Sequence, residues 1–437
     1  KQGGISRIIS FSSAHNEMLR RYAEYLARLY QPYYFDRQGE HAPGDIKTTF
    51  HPLFANDAGA LVARLSHFQV VNGYALTGER FDTQGAAALD ALADSGVVLD
   101  RAFTANVICS PSRASMMTGR YPRTHGLITN GMPLDADEIT LPQTLATAGY
   151  HTAAVGKIHL SPCGGVIPEM AGAGWQESLP ESRPFWEAGN TLPLPYYGFQ
   201  EVRLCDGHGE DWADYYRDLK ARDPKLPELL KKQNALAPPS GAPSSWKSAI
   251  PEEHHSSTWV ADEAIKKLER YARDRQPFFL FVGFPDPHFP YCPPAPWCDM
   301  FDPADVPMPR RQRSELKTGS TYFRRRIDQY EKVFGFHPFN MPDNYIREII
   351  AHTYGMVSLV DKNVGRILDS LRTAGVWDNT VVVFLSDHGY HLGEHSMWQK
   401  VSLFEECARV PLIISAPQQK QKGVKSKQLV ELVDLYP

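Results

Sequence analysis

The stretch 380-TVVVFLSDHG-389 decides the reading of the fold. Its apolar, β-branched run stops abruptly at Ser386 and gives way to Asp387, His388 and Gly389. A short apolar run bounded by polar turn residues reads as a strand buried on both faces. The same pattern recurs in 152-TAAVG-156, 277-PFFLFVGF-284 and 410-VPLIIS-415. Helical patterns lie between these runs. In 356-MVSLVDKNVGRILDSLRTAG-375, apolar residues at 356, 359, 360, 364, 367, 368 and 371 keep the 3.6 period, and Gly375 suits a C-cap. The segments 86-AAALDALADSG-96 and 258-TWVADEAIKKLERYARD-274 read the same way. Strands alternating with helices predict an α/β fold with a mostly parallel central sheet covered on both faces.

In such a sheet, ligands bind beyond the carboxyl ends of the strands. The residues just past each apolar run share one chemical theme. Lys157 and His159 follow the run at 152–156. Asp286 and His288 follow the run at 277–284. Asp387, His388, Glu394, His395 and Lys400 follow the run at 380–386. Upstream, 109-CSPSRASMMTGR-120 puts Cys109 and Arg113 ahead of a helix predicted to begin near Ser112. A thiolate is favoured there by the helix dipole, and an anion meets free backbone N–H groups.

Arg113, Lys157 and Lys400 form a set of three cations suited to one tetrahedral anion. Asp387 is a hard oxygen ligand for a divalent cation, and His388 offers a nitrogen to the metal or to substrate. His159 and His288 are candidates to move protons near neutral pH. The chemistry expected is metal-assisted hydrolysis of a tetrahedral oxyanion ester, phosphate or sulfate. Taken singly, each residue has a plainer reading: an Asp-His turn, a loop histidine between prolines, a solvated lysine. The case rests on all of them meeting at one end of one sheet.

Bulk properties narrow the alternatives. The chain has 437 residues, 42% hydrophobic and 22% charged, which suits one large globular domain or two unequal ones. A formal net charge of −4 gives no case for nucleic acid or an anionic membrane. No run of about 18 apolar residues predicts a membrane span. No signal-peptide pattern stands at the start, where Lys1 replaces the usual Met, so the chain reads as trimmed. The six cysteines are scattered, only Cys292 and Cys298 lying close; the spacing argues against zinc and for free thiols or one small local disulfide. The Pro-rich stretches 180–256 and 292–345 read as excursions around a site, with 309-PRRQR-313 and 324-RRR-326 as solvated surface or anion contacts.

The motif 109-CSPSRASMMTGRYP-122 resembles the signature of the type I sulfatases, C-x-P-x-R followed by T-G-R. The stretches 82-DTQGAAALDALADSGVVLDRAF-103, 141-LPQTLATAGYHTAAVGKIHL-160, 285-PDPHFP-290 and 386-SDHGYHLGEHSMWQKVSLFEECARVPLII-414 follow in the family's order. The last is closest in style to the carbohydrate sulfatases of the iduronate-2-sulfatase kind. The resemblance spans residues 80 to 437 and implies an alkaline-phosphatase-like fold. It also implies oxidation of Cys109 to a Cα-formylglycine nucleophile by a formylglycine-generating maturation enzyme. A Ca²⁺, or Mg²⁺ in some members, would sit on Asp387, His388 and residue 109. Arg113 and Lys157 would orient the hydrated aldehyde and hold sulfate. Lys400 and His288 would bind sulfate and protonate the leaving oxygen, and His159 would assist release. The implied substrate is a sulfated small molecule or glycan, and the implied location is periplasmic or secreted.

The chain departs from the family at both ends. The paired carboxylates that close the family's first strand are missing ahead of Cys109. The candidates for that strand are 5-ISRIISFSSAHN-16, ending on Ser13, Ala14 and His15, and 53-LFAND-57, ending on Asn56 and Asp57. Residues 1–80 therefore read as an atypical segment ahead of a catalytic domain at 81–437, with 17-EMLRRYAEYLARLYQPYYF-35 as an amphipathic helix. The end, 428-QLVELVDLYP-437, resembles a segment that runs on into a small C-terminal subdomain, which reads as truncated. Three functions follow: a sulfuric ester hydrolase, a phosphonate or phosphate monoester hydrolase of the same superfamily, and a metal-free sulfatase-like glycan binder.

Overall fold

The computed structural model describes residues 67–72, 87–163, 178–206, 212–334, 337–400, 402–417 and 419–436. The run that opened the sequence analysis is a strand near the middle of a nine-stranded sheet. The strands that matter here are β1 (His67–Asn72), β2 (Val97–Phe103), β3 (His151–Gly156), β4 (Glu201–Leu204), β5 (Phe278–Gly283), β6 (Thr380–Leu385), β7 (Leu412–Ser415) and β8 (Val424–Glu431). Their order across the sheet is β8-β2-β7-β6-β1-β5-β3-β4. The block β6-β1-β5-β3-β4 is parallel throughout. β7 runs antiparallel to both β6 and β2.

The predicted run 410–415 is therefore two strands. Arg409–Val410 pairs with the end of β2, and β7 pairs with β6. Pro411, which has no N–H to give a ladder, stands at the break. The other expected strands lie where the apolar runs placed them.

Alternation along the strands sorts side chains to two faces, as the pleat requires. Phe279, Phe281, Val381, Val383 and Leu385 pack on one face with Met116 and Met117 of α2 (Cys109–Thr118). Phe278, Leu280, Val282, Val382 and Phe384 pack on the other. That face is covered by α3 (Ser256–Arg273) and α5 (Asp343–Thr373), through Val260, Ala264, Leu268, Val364, Ile367 and Leu371. The helix read at 356–375 is thus the second half of a longer one, closed by Gly375 in the left-handed region at φ 70°. The helix read at 86–96 is α1 (Ala87–Ser95). Among its described residues the excursion at 292–345 holds one substantial helix, α4 (Thr321–Phe334).

The centre of the sheet, between β5 and β6, belongs to β1. Asn72 is in register with Gly283 on one side and Leu385 on the other, so β1 ends level with the strands that carry His288 and Asp387. Neither candidate strand from the sequence analysis fills this place; 5–16 and 53–57, like the helix read at 17–35, lie outside the described residues. HFQVVN is a short run with a polar residue at each end, which hides it from a search for continuous apolar runs.

Gly156 closes β3 at φ 88°, and a Cβ there would come within 2.0 Å of the Gly283 carbonyl oxygen. Only glycine lets β3 and β5 run side by side to their ends and release Lys157 at that point.

Candidate active site

The site lies where β3, β5 and β6 end, against the first turn of α2. That helix begins at Cys109 itself, three residues ahead of the start read from sequence. Ile108 caps it without a side-chain acceptor, but the Ser110 N–H finds Asn130 Oδ1 at 3.0 Å. Every residue of α2 is buried. Thr104 Oγ1 and Ser112 Oγ stand 2.7 Å apart, and the Ser112 hydroxyl donates to the Asp387 carbonyl at 2.5 Å. The helix start and the 386-SDHG-389 turn are therefore one rigid unit. Gly389 lets the same turn pack closely on the segment at Glu406, whose carbonyl oxygen would lie 2.0 Å from a Cβ there.

Arg113, one turn into α2, is 1% exposed. Its Nε donates to Asp387 Oδ2 at 2.7 Å, and its Nη1 donates to the Lys157 carbonyl at 2.8 Å. The guanidinium thus ties α2 to the exits of both β6 and β3. Burial alone would raise the Asp387 carboxyl. The charges of Arg113 and His388 outweigh it and hold the group below its ordinary value.

Cys109 is fully buried and surrounded by nitrogen. Lys400 Nζ reaches its Sγ at 2.5 Å and His388 Nε2 at 3.3 Å. Lys400 Nζ is also 3.4 Å from His288 Nε2. His388 and His288 each place Nδ1 2.7 Å from a main-chain oxygen, of Gly389 and Phe289 respectively. Those carbonyls can only accept, so Nδ1 carries a proton in both rings and Nε2 is the atom turned to the site. Burial would push the Cys109 thiol up. Lys400, Lys157 and His388 reverse this and hold it well below its usual value. Lys157, disfavoured as a cation by burial, is kept charged chiefly by Cys109 and titrates above the ordinary lysine value. The sequence-predicted residues Cys109, Arg113, Lys157, His159, His288, Asp387, His388 and Lys400 all meet here. The result is a buried cluster in which Lys400, Lys157 and His388 surround the Cys109 thiol and Arg113 ties Asp387 and the Lys157 main chain to the same helix.

Residues 71–437 match the Sulfatase family model. The chain belongs to the sulfatase family. It is 29% identical over 358 residues to an arylsulfatase of Clostridium perfringens, covering 80% of this chain and 68% of that one. It is 27% identical over 383 residues to the iduronate 2-sulfatase of Homo sapiens, covering 80% and 63%. In three dimensions it resembles the phosphonate monoester hydrolase of Agrobacterium radiobacter, with a TM-score of 0.68, 24% identity, and 86% and 72% of the two chains covered. The fold is alkaline-phosphatase-like, as expected. The chain spans about two thirds of the length of the curated relatives it matches.

The family implies a divalent cation, and the donors at the site fit it in part. Ligand atoms of Cys109, Asp387 and His388 all lie within 4.8 Å of one another. They amount to one carboxylate, one imidazole and the residue-109 position, against the six to eight oxygens a Ca²⁺ takes. Among the described residues no further carboxylate joins this group.

Several residues of this sulfatase site escaped the sequence reading. Cys163 stands 3.3 Å from His159 Nε2. Ser112 and Asn130 order the start of α2. Glu181 braces the turn at His159. Asn130, Cys163 and Glu181 carry no spacing signal, because each comes from a separate segment. The arginine clusters prove to be mostly surface. Arg311 pairs with Asp343, and Arg313 donates to Asn340. Arg326 reaches the site's edge, donating to the Lys400 carbonyl at 3.4 Å. Cys292 and Cys298 are not joined.

The buried histidines predict an acid limb in stability. Burial lowers His125 and His159 to about 4 and His391 to about 3. His125 is held neutral by two contacts, Ser115 Oγ at Nε2 and the Leu127 N–H at Nδ1. A histidine depressed in the folded state favours folding fully above its unfolded value, near 6.5. That advantage is lost as pH falls from there toward 4. Each group contributes on the order of 2 kcal/mol to the loss. Urea midpoints should be flat above about pH 7 and drop steadily between 6.5 and 4. A midpoint unchanged down to pH 4 would contradict neutral burial of these rings.

Proposed function

We propose that this chain hydrolyses sulfate esters, of a sulfated sugar in particular, at residue 109. The observation that carries the reading is the position of Cys109. It opens a buried helix, with Lys400, Lys157, His388 and His159 around its side chain and Arg113 one turn on. Converted to Cα-formylglycine, residue 109 would supply, as its aldehyde hydrate, an oxygen nucleophile and a second hydroxyl that lets sulfate go as the aldehyde returns. Asp387, His388 and residue 109 would hold a Ca²⁺ or Mg²⁺, whose chemistry is to polarise the oxygens it touches.

The chain's own side chains do the rest. Lys157 and Lys400 hold the sulfate oxygens, and charge that builds on them in the transition state meets fixed cations away from water. Arg113 keeps Asp387 ionised and links it to β3. The Lys400–His288 pair faces the leaving oxygen and delivers its proton, so the alcohol departs neutral. His159, neutral because it is buried, accepts a proton as sulfate is released. The 386–414 block, in the style of sugar sulfatases, supports a sulfated carbohydrate as substrate.

The test is co-expression with a formylglycine-generating enzyme, followed by assay on 4-nitrophenyl sulfate, 4-nitrophenyl phosphate and sulfated mono- and oligosaccharides. Sulfate release should exceed phosphate release in kcat/KM. Equal rates for chain and Cys109→Ala control would end the sulfatase reading, and a preference for phosphate or phosphonate esters would replace it. No helix among the described residues is long and apolar enough to cross a membrane.

A further inference from the structure

We infer that Glu181 is a positioning residue for this site, holding the His159 ring in place through the main chain. The inference rests on the role proposed above for His159.

His159 has φ 59°, in the left-handed region. That conformation costs a non-glycine residue about 1–2 kcal/mol unless something holds it. Glu181 does so. It is fully buried, and its two carboxylate oxygens gather three successive main-chain donors. The His159 N–H donates to Oε2 at 2.6 Å, and the Leu160 and Ser161 N–H groups donate to Oε1 at 2.9 Å each. The Tyr196 hydroxyl adds a fourth bond to Oε1 at 2.7 Å. Consecutive amides converging on one anion form a nest, and here the anion belongs to the protein. Glu181 is itself anchored, since Trp212 Nε1 donates to its carbonyl at 3.2 Å and Ser182 caps the next helix, Arg183–Glu187.

The same geometry limits what Glu181 controls. Lys157 lies on the strand side of the turn and is held independently. Its N–H donates to the Gly283 carbonyl at 2.8 Å, and its own carbonyl accepts from Arg113. Arg113 and Lys400 sit on other elements. Loss of the brace therefore frees the His159 turn while leaving Lys157 and Lys400, which hold the anion, and Arg113, which holds Asp387. Glu181 touches no reacting atom.

Glu181→Gln tests this. An amide keeps one acceptor oxygen but turns an NH₂ toward main-chain N–H groups, so at least one of the three loses its partner. The expected result is a fall in kcat of about 100-fold with KM unchanged within about threefold. In a His159→Ala background the same change should cost no more than about fivefold, because both act through one ring. Tyr196→Phe, which removes only the fourth donor, should lower kcat by about three- to tenfold and serves if the Gln variant folds poorly. Hydrogen exchange gives a readout free of activity. The amides of 159–161 should exchange at least about tenfold faster in Glu181→Gln, with β3 and β5 unchanged. Unaltered exchange at 159–161, or equal costs with and without His159, would overturn the inference. Faster exchange in a chain that releases no sulfate at all would leave the brace standing and remove the proposed function instead.

Discussion

Replacing Cys109 with Ala should reduce sulfate release by at least about 10⁴-fold while leaving the folded chain able to bind inorganic sulfate. The two halves of this expectation come from different atoms. The bond-making atom is at residue 109, and removing it leaves only what binding and charge contribute. The anion-holding atoms are Lys157 and Lys400, which enter from other segments and stay in place when the side chain at 109 is removed. Sulfate should therefore still raise the melting temperature of the variant, as any ligand of the native state does. Mass spectrometry of the peptide carrying residue 109 completes the test. Conversion of the thiol to formylglycine lowers its mass by about 18 Da. Active chain should show the lighter peptide in proportion to its activity. Full turnover from a peptide still carrying the thiol would show that the cysteine is not the precursor of the nucleophile.

Arg113→Met carries the second large effect. It strands Asp387, which is 0% exposed and bonded through Oδ2 to Arg113 Nε at 2.7 Å. Breaking a buried pair from one side costs about 3–5 kcal/mol, because the remaining charge has neither water nor partner. The Lys157 carbonyl loses its donor in the same step. Denaturant titration should show a loss of that size, with hydrolysis gone. Removing both charges, as Arg113→Met with Asp387→Leu, should recover most of the stability and none of the activity. That contrast separates a pair kept for chemistry from one kept for folding. A double variant as unstable as the single one would mean that the arginine stabilises the fold through its other contacts.

The fold was legible wherever a strand is buried on both faces. The runs at 152–156, 277–284 and 380–386 declare themselves, because a parallel strand between two helical layers has no polar face to interrupt it. The site was legible for the same reason. Ligand-binding residues follow such strands directly, so Lys157, His288 and Asp387 could be placed at one rim before any contact was known. β1 was not legible, being short and lacking the paired carboxylates expected at the end of that strand. The split of 410–415 around Pro411 was missed because periodicity does not report strand direction.

The sequence by itself determined the sheet class, the motif around Cys109 and the set of charged side chains brought to the site. These are properties of period and spacing, which act locally along the chain. Only the tertiary structure decided who holds whom. The Arg113–Asp387 pair, the Lys400 contact to Cys109 and the Glu181 brace each join residues from separate segments. Their strength depends on burial, and burial is a property of the packed molecule that no local stretch of sequence carries.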